Sequence, residues 1–169
     1  MKKTIAFIMV ILVLVAIGVM GYILFQGMIE EQEVRDRTDT LPEDMQLEYL
    51  YSPHAMNQAE ARPIIINYFN TGCQYCQAEI KDMHDHADLT KEAWIILVSN
   101  ESSSAINEFT ESFPIDTTRF SIARDYSGSV RDFFGVEVVP ATMVYTTDST
   151  LTERFKGQVR ADALYSLIK

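Results

Sequence analysis

Cysteine is scarce in this chain of 169 residues: there are two, Cys73 and Cys76, beside three histidines and one tryptophan. That scarcity excludes several chemistries. A zinc site using both cysteines needs two further ligands, and the nearest are His84 and His86. Two residues apart on a helix, they point about 200° apart around the axis and do not easily join one tetrahedron. The residue after the second cysteine is Gln77 rather than histidine, so the signature of c-type haem attachment is incomplete. No cysteine follows the N-terminal apolar run, which excludes a lipoprotein anchor. Neither a metal nor another cofactor is implied. Basic residues are also few. Beyond Gln26, 24 acids stand against 12 bases, a net of −12 on about 143 residues, which makes nucleic acid and anionic lipid surfaces poor partners. There is no internal repeat or low-complexity tract, and the sequon Asn100-Glu101-Ser102 is too common a triplet to carry weight.

Charge is missing altogether from Thr4 to Phe25. Twenty-two residues at about 1.5 Å each make a helix of roughly 33 Å, enough to cross a bilayer core. A cleaved signal peptide has a shorter apolar region followed by small residues, whereas Met20 to Phe25 continues apolar and bulky. The expectation is an uncleaved transmembrane signal anchor over residues 1–26, in contact with the membrane through residues 4–25. Lys2 and Lys3 flank its start and Glu30-Glu31-Gln32-Glu33 its exit, so the positive-inside rule keeps the N-terminus cytoplasmic. A single-pass membrane protein results, its C-terminal domain on the extracytoplasmic side. Residues 27–40 alternate charge with few apolar positions and read as a spacer, free to prolong the helix by a turn or two before Pro42. Residues 41–169 are long enough for one domain with a proper core.

That domain is organised around Ile64-Ile65-Ile66-Asn67-Tyr68-Phe69-Asn70-Thr71-Gly72-Cys73-Gln74-Tyr75-Cys76. An apolar β-branched run of strand length leads into a turn, Asn70 to Cys73. From Gln77 to Leu89 the pattern becomes helical, with Ile80, Met83 and Ala87 on one face. Both cysteines therefore sit where a buried strand hands over to a helix, where unpaired backbone N–H groups and the helix dipole stabilise a thiolate. Their spacing places them one turn apart, close enough to form a disulfide. A bridge closing so small a loop restrains the unfolded chain little, so redox chemistry is favoured over a structural staple.

The remaining elements follow in order. Met45, Leu47, Tyr49 and Tyr51 alternate with Gln46, Glu48 and Leu50 and suggest a short strand or hairpin arm. Ser52 to Arg62, with His54, reads as a loop or short helix. Ala93 to Val98 is a second buried strand, with Trp94 a core residue, and strand–helix–strand implies a right-handed parallel crossover. Ser102 to Ser104 cap a helix carrying Ile106, Phe109 and Phe113. Phe120 to Ala123 reads as a short edge strand, and Gly128 to Phe134 as a brief helix closed by Gly135. Ala141 to Tyr145 and Leu151 to Phe155 form a hairpin. Ala161, Leu164, Tyr165 and Ile168 mark a last amphipathic helix.

This arrangement resembles the thioredoxin fold, an α/β fold with a central mixed β-sheet flanked by helices, and most nearly the membrane-anchored TlpA-like or ResA-like thiol-disulfide oxidoreductases. Three features carry the resemblance: the strand–Cys73-Gln74-Tyr75-Cys76–helix junction, the segment Gly135-Val136-Glu137-Val138-Val139-Pro140-Ala141-Thr142, and Glu79 three residues after Cys76. The resemblance implies that Pro140 is cis and faces the cysteines. Cys73 is then the attacking thiolate and Cys76 the resolving thiol, the Val139 backbone and Pro140 receive the substrate strand, and Glu79 is an acid–base neighbour. Glu79 could instead be a solvated helix residue, and Pro140 an ordinary turn proline. Three positions depart from the family: Gly72 where tryptophan is usual, Tyr75 where proline is frequent, and Asn67 where thioredoxin has a buried aspartate. The implied partners are protein thiols and disulfides, and a membrane electron donor such as a thiol-relay protein.

Two other classes use the same residues. An envelope disulfide oxidase or isomerase would run the exchange in the opposite sense. A copper carrier like the Sco proteins would have CxxxC and a distant histidine; here the motif is CxxC, and His54 lies outside the expected place. No Lys or Arg occurs between Arg62 and Lys81 to stabilise a thiolate, so the expectation is a reducing couple, nearer about −270 mV than about −120 mV.

Overall fold

The computed structural model describes residues 2–42, 45–52 and 62–169. His54 and most of the Ser52–Arg62 segment lie outside them. Two compact units divide the chain, residues 1–37 and 38–169. The first is one helix, α1 (Lys2–Thr38), whose last residue belongs to the second unit. Met9 and, from Ile11 to Ile29, the large apolar side chains are exposed along the length of the helix. By length and composition the stretch Ile11–Thr38 suffices to cross a membrane. The charged stretch expected as a spacer is helical through Thr38, about three turns further than the apolar run, because no proline or glycine interrupts it between Met28 and Thr38.

The second unit is a six-stranded mixed sheet in the order β1-β4-β3-β2-β5-β6. Its strands are β1 (Glu48–Tyr51), β2 (Ile64–Tyr68), β3 (Trp94–Ser99), β4 (Phe120–Arg124), β5 (Ala141–Tyr145) and β6 (Leu151–Lys156). β2, β3 and β4 are parallel, β1 is antiparallel to β4, and β5 and β6 form the antiparallel hairpin beside β2. Helices α2 (Gln74–Asp85), α3 (Ala87–Glu92), α4 (Ser103–Ser112), α5 (Ser129–Phe133) and α6 (Ala161–Ile168) connect and cover the strands.

Three expectations are corrected. Phe120 to Ala123 is not an edge strand, because β1 pairs along it, Tyr49 opposite Ala123; accordingly Phe120, Ile122 and Ala123 are fully buried. The expected helix through Leu89 is two helices. It starts at Gln74, breaks at His86, and leaves Ala87 exposed at the start of α3 while Leu89 takes the core position. His86 makes the break by capping α3: its Nδ1 accepts the Leu89 N–H at 3.1 Å. Local side-chain capping here outcompetes continuation of the first helix. Trp94 is half-buried rather than core, its indole N–H donating to Ser121 Oγ at 2.8 Å.

Strand alternation sorts the core into two layers. Ile65, Phe69, Leu97, Ile122 and Val144 face α2, α3, α4 and α6, with Cys76, Ile80, Met83, Leu89, Phe109 and Leu164 opposite them. Ile66, Tyr68, Ile96, Val98, Met143 and Tyr145 face the other way, against Val130 of α5 and Phe134. By the same alternation Asn67 of β2 and Thr142 of β5 belong to the first layer. They are direct cross-strand partners.

Candidate active site

The C-terminal end of β2 delivers the chain into the Asn70–Cys73 turn, closed by the Cys73 N–H donating to Asn70 O at 3.1 Å. Cys73 is the N-cap of α2: its backbone is extended, and its Sγ accepts the Cys76 N–H at 3.3 Å. A sulfur there stands in for the oxygen of a serine or aspartate cap and takes one of the helix's orphan donors. Both cysteines are free thiols, Cys73 half-buried and Cys76 sealed from solvent. Across the cleft Val139 O lies 3.9 Å from Cys73 Sγ, in line for the thiol to donate. The Val139–Pro140 peptide is cis, as the resemblance implies. Tyr75 and Val138 are exposed apolar side chains next to Cys76 and Val139 in the chain. A side chain at Gly72 would meet open space, so packing does not demand glycine there.

Glu79 is fully buried, which excludes the solvated alternative. Its carboxylate is held on three sides. Oε1 accepts Asn67 Nδ2 at 2.8 Å and the Thr142 hydroxyl at 2.5 Å; Oε2 accepts the Val159 N–H at 3.0 Å. Asn67 also donates to Thr142 Oγ1 at 2.8 Å. Burial raises the Glu79 pKa to about 7, against the pull of these three donors, with the Asp82 charge adding to the rise. Burial, above all, pushes the Cys76 thiol up to about 12; its hydrogen bond with Cys73 and the charges of Cys73 and Glu79 add to the rise. The buried carboxyl thus comes from the helix, while the strand position where thioredoxin has aspartate supplies a donor to it.

The two histidines weighed as ligands serve other ends. His84 stacks on Phe120 with its Nδ1 3.2 Å from Asp85 Oδ1. His86 caps α3 and packs on Tyr165. Thr142, Val159 and Glu101 were not singled out for a role from sequence. Thr142 is the closing residue of the Pro-x-Thr segment, and its register opposite Asn67 is the signal that a strand-pairing argument could have used. The Val159 contribution is a backbone N–H, which no side-chain pattern betrays.

A half-buried capping thiol one turn from a fully buried one, at the end of a parallel strand of this sheet, defines a thioredoxin-fold dithiol protein. Residues 41–154 match the AhpC/TSA family, and the chain belongs to that family. It is 21% identical over 172 residues to the thiol-disulfide oxidoreductase ResA of Bacillus thuringiensis subsp. konkukian, covering 100% of this chain and 98% of that protein. To the thiol-disulfide oxidoreductase ResA of Oceanobacillus iheyensis it is 23% identical over 161 residues, with 90% and 82% covered. Among solved structures, a thiol-disulfide isomerase from Corynebacterium glutamicum superposes with a TM-score of 0.64 at 17% identity, over 79% of this chain and 98% of that one. That likeness is one of fold.

Proposed function

We propose that this protein is a membrane-anchored thiol-disulfide oxidoreductase of the cell envelope that reduces protein disulfides through Cys73 and Cys76. The observation that carries the reading is the division between the two thiols, one an accessible helix cap and the other buried beside a carboxyl whose pKa is raised to about 7. The Cys73 thiolate attacks one sulfur of a substrate disulfide; the S–S bond breaks and the first substrate sulfur leaves as a thiolate that takes a proton. Cys76 then gives its proton to Glu79 and attacks Cys73 Sγ, releasing the second substrate sulfur. The substrate gains two electrons and two protons, and the protein is left with a Cys73–Cys76 disulfide for a membrane thiol donor to reduce. The Val139 backbone, whose carbonyl lies opposite Cys73, and the adjoining Pro140 receive the substrate strand.

The direction of flow rests on charge. Among the described residues, the groups about the dithiol are the Cys76 N–H, the Val139 carbonyl and the Glu79 carboxyl, none of them a cation that would make the reduced form unusually stable. Equilibration of the detergent-solubilised full chain against glutathione is expected to give a potential nearer about −270 mV than about −120 mV; a value at the oxidising end would reverse the assigned direction. For the anchor, residues 4–25 cross the inner membrane and the domain faces outward. Protease added to intact spheroplasts should degrade the domain beyond Phe25, and protection until lysis would sink that topology.

A further inference from the structure

The turn that presents Cys73 is held from outside by a residue of another loop. Glu101 follows β3, whose C-terminal end lies beside that of β2 in the parallel pair. Its carboxylate straddles Thr71, two residues before Cys73: Oε2 accepts the Thr71 N–H at 2.7 Å and Oε1 the Thr71 hydroxyl at 3.2 Å. The third polar group of Thr71, its carbonyl, accepts Gln77 Nε2 of α2 at 2.7 Å. All three are therefore taken by side chains that belong to the two flanking elements.

Glu101 is itself braced. The buried Ser99 accepts the Glu101 N–H and donates to Oε2, both at 3.3 Å. Arg124 at the end of β4 donates from Nε to Glu101 O at 3.0 Å, and its Nη1 lies 3.4 Å from Glu48 of β1. The loop bearing Glu101 is thus tied to three strands of the sheet, so the carboxylate is a fixed point rather than a swinging surface charge.

We infer that Glu101 is a positioning residue of the dithiol: by clamping Thr71 it holds the Asn70–Cys73 turn in the one conformation that places Cys73 Sγ on the Cys76 N–H and opposite Val139. The inference rests on the proposed thiol exchange. Without the clamp the Thr71 N–H and hydroxyl turn to water, and the turn samples states in which Cys73 no longer caps α2. Glutamine keeps one acceptor oxygen for the Thr71 N–H and can meet the Thr71 hydroxyl with its NH₂, the hydroxyl then accepting, so it loses the charge but keeps the clamp; alanine loses both.

The test compares Glu101→Ala and Glu101→Gln with the full-length wild type in detergent. Cys73 alkylation by iodoacetamide is followed across pH, reduction of a peptide disulfide is followed at neutral pH, and melting curves accompany both. Alanine is expected to slow disulfide reduction roughly tenfold and move the alkylation profile to higher pH, while glutamine stays within about twofold of wild type. A small change in melting temperature for alanine accompanies this result. Alanine matching wild type in both thiol assays would overturn the inference, as would glutamine falling as far as alanine. So would a loss that appears only where the variant is melting. A wild type that reduces no disulfide would instead refute the proposed function, and the alkylation profiles would still decide the role of Glu101.

Discussion

Cys76→Ser is expected to accumulate covalent adducts with substrate, and Cys73→Ser to form none. Cys73 is the thiol that solvent reaches, and Cys76 is fully buried beneath it. With serine at 76 the first attack still proceeds, but nothing remains to displace the substrate, so the mixed disulfide persists. With serine at 73 the remaining thiol is held protonated by burial, its pKa pushed up to about 12, and has no path to a substrate sulfur. Multiple turnover should fall in both variants by roughly 10³-fold or more, since each loses an indispensable sulfur nucleophile. Non-reducing gels of cells expressing each variant distinguish them, and adducts trapped by Cys73→Ser would exchange the two roles. In the wild type the same asymmetry should appear as faster alkylation of Cys73 than of Cys76 at neutral pH, read by mass spectrometry.

The sequence carried the scaffold well because its signals were local. Continuous apolar runs at Ile64–Phe69 and Ala93–Val98, a cap at Ser102, and the five residues between the last two strands each specify an element without help from distant contacts. The errors fell where tertiary context decides. Phe120 to Ala123 looks like an edge because its partner β1 is four residues long and comes seventy residues earlier. His86 breaks a helix through a side chain whose capping bond competes with an otherwise acceptable helical pattern. The site divides in the same way. Cys73, Cys76, Val139, Pro140 and Glu79 stand in short recognisable motifs, and the structure brings Cys73, Cys76 and Val139 into contact. The partners that give Glu79 its character come from 12, 63 and 80 residues away. The clamp on Thr71 closes over 30 residues. Only the sheet, by laying β2 beside both β3 and β5, makes these groups neighbours.

Glu79→Gln is expected to change both the rate and its pH dependence, and in a way that separates chemistry from packing. A carboxyl with a pKa of about 7 is half ionised at neutral pH, so the resolving step should rise with pH through that region as Glu79 becomes able to take the Cys76 proton. Glutamine cannot take it. Resolution should slow by roughly 10²-fold and lose the limb near pH 7, measured as release of the second substrate thiol in a single turnover. With the buried charge gone, the couple should also become less negative, because Glu79 no longer disfavours thiolate. Stability moves on a different schedule. The folded protein keeps the Glu79 proton up to about 7 while the unfolded chain releases it near the ordinary 4.5, so between those values the wild type loses stability as pH rises. The gap corresponds to about 3 kcal/mol by full ionisation. Glutamine abolishes that slope, but its single oxygen cannot serve both Asn67 and Thr142 on one side and the Val159 N–H on the other. Placing its NH₂ against the Val159 N–H costs about 1–3 kcal/mol at every pH. The variant should therefore melt below wild type at pH 5 and draw level with it near pH 8. A rate limb that survives in the variant would remove Glu79 from the proton path, whatever the melting curves show.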